Sequence, residues 1–302
     1  CYGSAGTQAA GLWEFLKDGA MSKPLHAGKS AFAGVLAAYL AQDGFTAASQ
    51  ILEGEKGFCR AMSATPHLEK LTEGLFRGRL KIDDNSFKPY ACCKHSHAAL
   101  YALQTLRDEQ DLKPEQIERI EVRVNEITNY LINNGNPKTP YGCKFSLQYC
   151  CAAMLVNGVV GIEEFTDRAI ANPAVKALMR RVFVVPNEEE EAIHQANPSK
   201  LASTVLVTLT DGTVLTRHVD CPKGDPDNPL SWEEAKKKFL HLAVPVLGQA
   251  SSHALFQLIL HLEKVDDFAL ALAEADLSVP PPATGQSMIS VSYTHLTLPT
   301  IL

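Results

Sequence analysis

Hydrophobic positions recur every three or four residues over the first quarter of the chain, in an Ala-rich helical pattern. Leu12, Phe15 and Leu16 form one short apolar stripe, ended by Asp18-Gly19. A longer helix is predicted over 29–41, with Phe32, Val35, Leu36, Tyr39 and Leu40 facing inward and small residues over most of the remaining surface. A helix so poor in charge belongs inside a bundle. Asp43-Gly44 stops it, and shorter helices are predicted at 47–52 and 67–74.

The period changes after Arg77. Residues 79–82 read as a short strand and 96–107 as a helix with Leu100, Leu103 and Leu106 on its apolar side. Ile117–Val124 (IERIEVRV) alternates apolar and polar residues, which marks a half-buried strand. Residues 145–156 return to helix. Two alternating runs, 203–209 and 213–219, flank Asp211-Gly212 and form a hairpin. Ser231-Trp-Glu-Glu234 is a capping box that opens a helix toward Leu247, followed by helical segments at 252–264 and 268–275.

Helices, a mixed block and helices again predict a fold that is mainly α with an α+β insertion. The large helical domain (1–82 and 226–290) is interrupted by a smaller α+β lid domain (83–225), with a cleft where they meet. The last segment, 291–302, follows a Pro-rich break and resembles the conceptual translation of a sequencing adapter, so it is expected to be a non-native read-through tail. The chain also opens inside a helical pattern, so it is expected to be a fragment with its start missing.

At 302 residues, 46% hydrophobic and 21% charged, the composition is that of an ordinary globular protein. A net charge of −6 argues against nucleic acid or an anionic membrane as partner. No run of 18 apolar residues predicts a membrane span, and no secretory signal is visible. Eight cysteines without a CxxC pair read as reduced core residues of a cytoplasmic protein. Nucleotide-binding glycine motifs and the GxSxG element of serine hydrolases are not in the sequence.

Candidate chemistry lies in three segments. Lys23-Pro-Leu-His26-Ala-Gly28 (KPLHAG) precedes the long helix, where Gly28 lets the backbone turn into the helix start and free N–H groups favour an anion beside Lys23 and His26. Phe87-Lys88-Pro89-Tyr90 leads through Cys92, Cys93, Lys94 and His95 to Ser96 and His97, a basic turn that could cap a helix and hold an anion. A metal set of Cys92, Cys93, His95 and His97 lacks a supporting carboxylate or distant partner spacing. The third segment, Phe145-Ser-Leu-Gln-Tyr149, opens a core helix. The run Glu188–Glu191 reads as a solvated face.

Taken together, these segments resemble the MmgE/PrpD family. The resemblance runs from Ala5-Gly6 and Ala9-Ala-Gly-Leu12 through Ser22–Gly28, Ala33-Gly-Val35, Ala41–Phe45, Phe87–Tyr90 with His97, and Phe145–Tyr149, to Lys223-Gly224 and Pro229-Leu-Ser231. It implies a homodimeric enzyme acting on a small polycarboxylic acid, with no organic cofactor and no metal. It also implies that Lys23, Lys88, His97 and Tyr130 line the pocket, with Lys23, His26, Lys88 and His97 binding substrate. The main expectation is a lyase of the 2-methylcitrate dehydratase type. A decarboxylase or epimerase of the same family, or a non-catalytic helical binding module, is the alternative. Further acids and bases of the family lie upstream of Cys1, so this piece alone is expected to be inactive.

Overall fold

The computed structural model describes residues 1–78 and 80–274; the tail expected at 291–302 lies outside the described residues. The helices are α1 (Tyr2–Gly6), α2 (Phe15–Asp18), α3 (Ser22–Gln42), α4 (Phe58–Met62), α5 (His97–Gln110), α6 (Glu126–Ile132), α7 (Pro140–Cys143), α8 (Leu147–Asn157), α9 (Asp167–Ile170), α10 (Pro173–Met179), α11 (Glu188–Ala196), α12 (Trp232–Leu260) and α13 (Phe268–Glu274). The strands are β1 (Ile117–Val124), β2 (Val182–Pro186), β3 (Ser203–Leu209) and β4 (Val214–Val219). The fold is mainly α with one small mixed sheet, as the hydrophobic pattern predicts. Two compact units divide the chain. One comprises Cys1–Asn85 with Tyr90–Asp220, and the other Ser86–Pro89 with the chain from Cys221 onward.

In the first unit the sheet order is β2-β1-β3-β4. β1 is parallel to β2 and antiparallel to β3, and β3 pairs antiparallel with β4. Alternation in β1 buries Ile117, Ile120, Val122 and Val124. Helices α5 and α8 pack in the same core, which also holds Leu100, Leu103, Leu147 and Met154. β2 (VFVVP) was not predicted: a five-residue apolar run carries no period of its own, and a parallel edge gives no hairpin signal. The hairpin turn is as expected, with Gly212 at φ 86° and the Asp211 carboxylate accepting from the Thr213 N–H at 2.9 Å.

Several local expectations fail. The strand expected at 79–82 begins at Arg79, which lies outside the described residues, and Lys81–Asp84 form a 3-10 turn instead. Residues 47–52 carry no helix, because a short Ala/Ser/Gln stretch offers neither an apolar stripe nor a cap, and the helix forms later as α4. At 67–74 only the 3-10 turn Leu68–Leu71 forms.

The long helix α3 begins seven residues earlier than predicted and turns a different face inward. Ala33 and Ala37 are buried, whereas Phe32, Val35 and Tyr39 are about 60% exposed; Leu36 and Leu40 are half-buried. An all-round apolar helix gives no moment to decide its orientation. α1 packs against α3, and Ala33 and Ala37 are the α3 residues that become buried. The run Glu188–Glu191 is the first turn of α11, and Glu190 is fully buried rather than solvated. Its Oε1 accepts from the Thr204 hydroxyl at 2.6 Å.

In the second unit Ser231 caps α12 through the predicted capping box with Glu234. By length and composition α12 is long and apolar enough to cross a membrane. Gly248 (φ 76°, ψ 169°) breaks it, however, and neither half approaches the roughly 20 residues that a bilayer needs.

The packed face of α3 is testable. Ala37→Leu should cost about 1–3 kcal/mol by overpacking, while Val35→Leu should change stability by less than about 0.5 kcal/mol, both read by urea denaturation. The opposite ranking would place Val35, not Ala37, on the packed side.

Candidate active site

The first unit holds a cavity of about 750 Å³, a size suited to a small-molecule ligand. Its walls come from two stretches far apart in sequence. Leu12–Gly19 supplies one side, and the end of α6 with the loop after it, through Thr139, Gly142 and Phe145, supplies the other. Gly19 (φ 59°) closes α2 in the left-handed region, and its Cα packs against the Gly142 backbone; a Cβ there would come within 3.0 Å of Gly142 Cα.

Tyr130 lies on this cavity, 80% exposed on α6. Lys23 reaches the same wall through Phe145, whose ring its ammonium overlies at 5.4 Å from the centroid. The sequence reading placed KPLHAG in a loop before the helix. The structure instead puts it inside the first two turns of α3, with Met21 as N-cap and Lys23 in the opening turn. Pro24 is tolerated there because the first-turn N–H groups have no helical partner. Gly28 is mid-helix, and nothing lies within 4 Å of where its Cβ would be, so no close approach requires it. The first turn carries no acidic residue, so Lys23 adds its charge to the positive end of the helix dipole.

His26 does not line the cavity. It packs edge-on against Phe15 at 5.6 Å between ring centroids, beneath Gly11. His97, the first residue of α5, is 2% exposed and meets Tyr90 edge-on at 5.1 Å, and its Nε2 has no hydrogen-bond partner among the described residues. Ser96 makes no side-chain cap to α5, so the predicted cap is missing and its hydroxyl is buried without a partner. Lys88 belongs to the second unit. There its backbone carbonyl accepts from the Lys238 ammonium. Burial, and after it the Lys88 charge, hold Lys238 below the usual lysine range. Two cations therefore sit together where the sequence flagged one; the signal was the run Lys236–Lys238.

The sequence reading also missed the Asn133-Asn-Gly-Asn-Pro-Lys138 loop, a dense turn signal immediately after Tyr130. It lines the cavity with side-chain amides and Lys138, donors suited to carboxylates. Residues of the Phe145–Tyr149 segment hold it. The Ser146 hydroxyl donates to the Asn134 carbonyl at 2.5 Å and accepts the Tyr149 N–H at 3.1 Å, while Gln148 donates to Asn133 Oδ1 at 2.5 Å. The start of α6 is fixed by Asn125, which accepts from the Thr128 N–H, by His95 against the Thr128 hydroxyl at 2.7 Å, and by Glu191, which accepts from the Glu126 N–H at 2.9 Å. Among the described residues no group of three His, Cys, Asp or Glu side chains is placed to hold a metal ion. None of the eight cysteines is in a disulfide; burial pushes the Cys143 thiol up to about 12.

Comparison with known proteins gives this arrangement its class. The MmgE/PrpD N-terminal domain matches residues 1–71 and the MmgE/PrpD C-terminal domain residues 90–264, and the chain belongs to this family. Mouse cis-aconitate decarboxylase is 28% identical over 287 residues, covering 92% of this chain and 57% of that protein. The human cis-aconitate decarboxylase is 26% identical over 271 residues, covering 88% and 55%. The mitochondrial 2-methylcitrate dehydratase of Yarrowia lipolytica is 26% identical over 103 residues, 33% of this chain and 20% of the relative. The chain thus spans somewhat more than half the length of the decarboxylases it matches.

Glu191 provides a pH test of how Tyr130 is held. The Glu126 N–H, then Gln195, lower its pKa below the ordinary carboxylate value. A depressed carboxylate contributes its stabilisation above the unfolded pKa and loses it as pH falls through the folded one. The protection of the Glu126 amide relative to its intrinsic exchange rate should therefore fall as the solution is acidified below the normal carboxylate range. Glu191→Gln should remove that pH-dependent loss of protection, and a wild-type profile in the variant would refute the link.

Proposed function

We propose that the longer protein carrying this chain is a lyase that acts next to a carboxylate of a small di- or tricarboxylic acid, by decarboxylation of a cis-aconitate-like substrate. The observation that carries this reading is a cavity lined by Tyr130 and by Phe145, over whose ring the Lys23 ammonium lies, in a chain whose decarboxylase relatives match it almost end to end. The comparisons support decarboxylation better than the dehydratase reading drawn from the sequence, because the dehydratase match covers only a third of the chain. Dehydration is the second reading, favoured by that partial match.

Loss of CO2 breaks a carbon–carbon bond and leaves an electron pair on carbon, which a neighbouring carboxylate shares until a proton is delivered. Catalysis therefore needs fixed cations facing the carboxylates and one acid of suitable reach. Lys23 fits the first role, since it is a point charge reinforced by the helix terminus behind it. The amides of Asn133 and Asn134 add neutral donors. Tyr130 is an acid with an exposed hydroxyl at the cavity. His97 has an uncommitted ring nitrogen and is the second group able to carry a proton. Lys88, which lies beside Lys238 in its own unit, and His26, which packs on Phe15, remain proposed substrate-binding residues of the longer protein in this reading. Homodimeric assembly, a cytoplasmic setting, the absence of an organic cofactor, and a helical domain (1–82 and 226–290) around a lid (83–225) complete it. The exposed Phe32, Val35 and Tyr39 of α3 support assembly.

In the longer protein, turnover of cis-aconitate should release CO2. Lys23→Ala should cut kcat/KM by about 100-fold or more, the scale of losing an electrostatic donor, with Tyr130→Phe lowering kcat. Activity on 2-methylcitrate without CO2 release would favour dehydration. Unchanged turnover in Lys23→Ala would remove both readings.

A further inference from the structure

A second cavity of about 550 Å³ lies in the same unit, between the loop after α6 and helices α9 and α10. Three cations border it, Lys138, Lys176 and Arg180, against a single carboxylate, Asp167. Lys176 and Arg180 are one helical turn apart on the same side of α10, a spacing at which like charges repel. Among the described residues none of the three forms an ion pair; Lys138 is engaged only by the Asn136 side chain at 2.8 Å.

The floor brings no competing negative charge. Cys143 borders the cavity as a buried neutral thiol, held up to about 12 by burial, and the charge of Lys176 is near enough to pull against that rise. Tyr149, also on the wall, spends its hydroxyl on the Glu164 carbonyl. Ile170 and Met179 supply short apolar walls. Unpaired like charges around a concave space are relieved by a bound oxyanion, to which Lys and Arg donate charge-assisted hydrogen bonds.

We infer that this cavity is a second binding site, for a small multiply charged oxyanion, distinct from the candidate active cavity. The two cavities share Asn136, Pro137 and Lys138 as a common wall. An occupant of the second therefore touches the loop that lines the first, a contact through which the two sites can be coupled.

Titration calorimetry at constant ionic strength, with inorganic phosphate and separately with succinate, tests the site and distinguishes a phosphate from a carboxylate ligand. Expected is saturable binding of at least one probe, weakened about tenfold or more in Lys176→Ala/Arg180→Ala and unchanged in Lys23→Ala. Both replaced side chains are exposed on α10, so the double variant should keep the fold, checked by circular dichroism. No saturable binding of either probe, less than about threefold weakening in the double variant, or loss of all binding in Lys23→Ala would overturn the inference. None of those outcomes touches the turnover test of Lys23, because the two cavities do not share that residue.

Discussion

The structure of the first unit depends on the burial of α8. Its residues from Leu147 to Leu155 are all nearly inaccessible, including Gln148, Tyr149 and the pair Cys150-Cys151. A helix apolar on every side has to be surrounded, and α5, α10 and β2 supply much of the packing around it. That burial fixes the position and direction of the residues at its start. Phe145 carries the Lys23 ammonium, Ser146 and Gln148 hold the asparagine loop, and Tyr149 and Cys143 border the second cavity. Both cavities thus inherit their geometry from one hydrophobic constraint.

Much of this arrangement was legible in the residues, for reasons that differ by element. β1, β3 and β4 were read because half-buried strands alternate with period two. The Asp211-Gly212 turn and the Ser231–Glu234 capping box were read because their side chains bond the backbone locally. β2 was missed because its partner, β1, is more than fifty residues away and its apolar run fits a buried helix equally well. The start of α3 was misplaced because proline and glycine were read as breakers. A proline in the first turn forfeits no helical hydrogen bond, so KPLHAG begins the helix.

The candidate site divides along the same line. Lys23 was singled out from its local pattern and Tyr130 from a resemblance; Tyr130 lines the cavity, and Lys23 lies over the ring of Phe145 on its wall. Their supporting residues were invisible, because Gln148 meets Asn133 only when α8 is packed beneath the loop. Glu190 shows the opposite error. Four consecutive glutamates look solvated, yet the 100° rotation per residue of α11 turns one of them inward onto Thr204 and leaves Glu191 free to fix α6. A charge run in a short helix is not one face.

The placement of Lys23 also decides which kind of site this can be. A lysine in the opening turn of α3 is unfavourable for that helix on its own, since it stands at the positive end of the dipole with no acidic neighbour in the turn. The ring of Phe145 offsets part of this through its negative face. An anion at this terminus would offset more, because the ammonium and the helix end would act on it together.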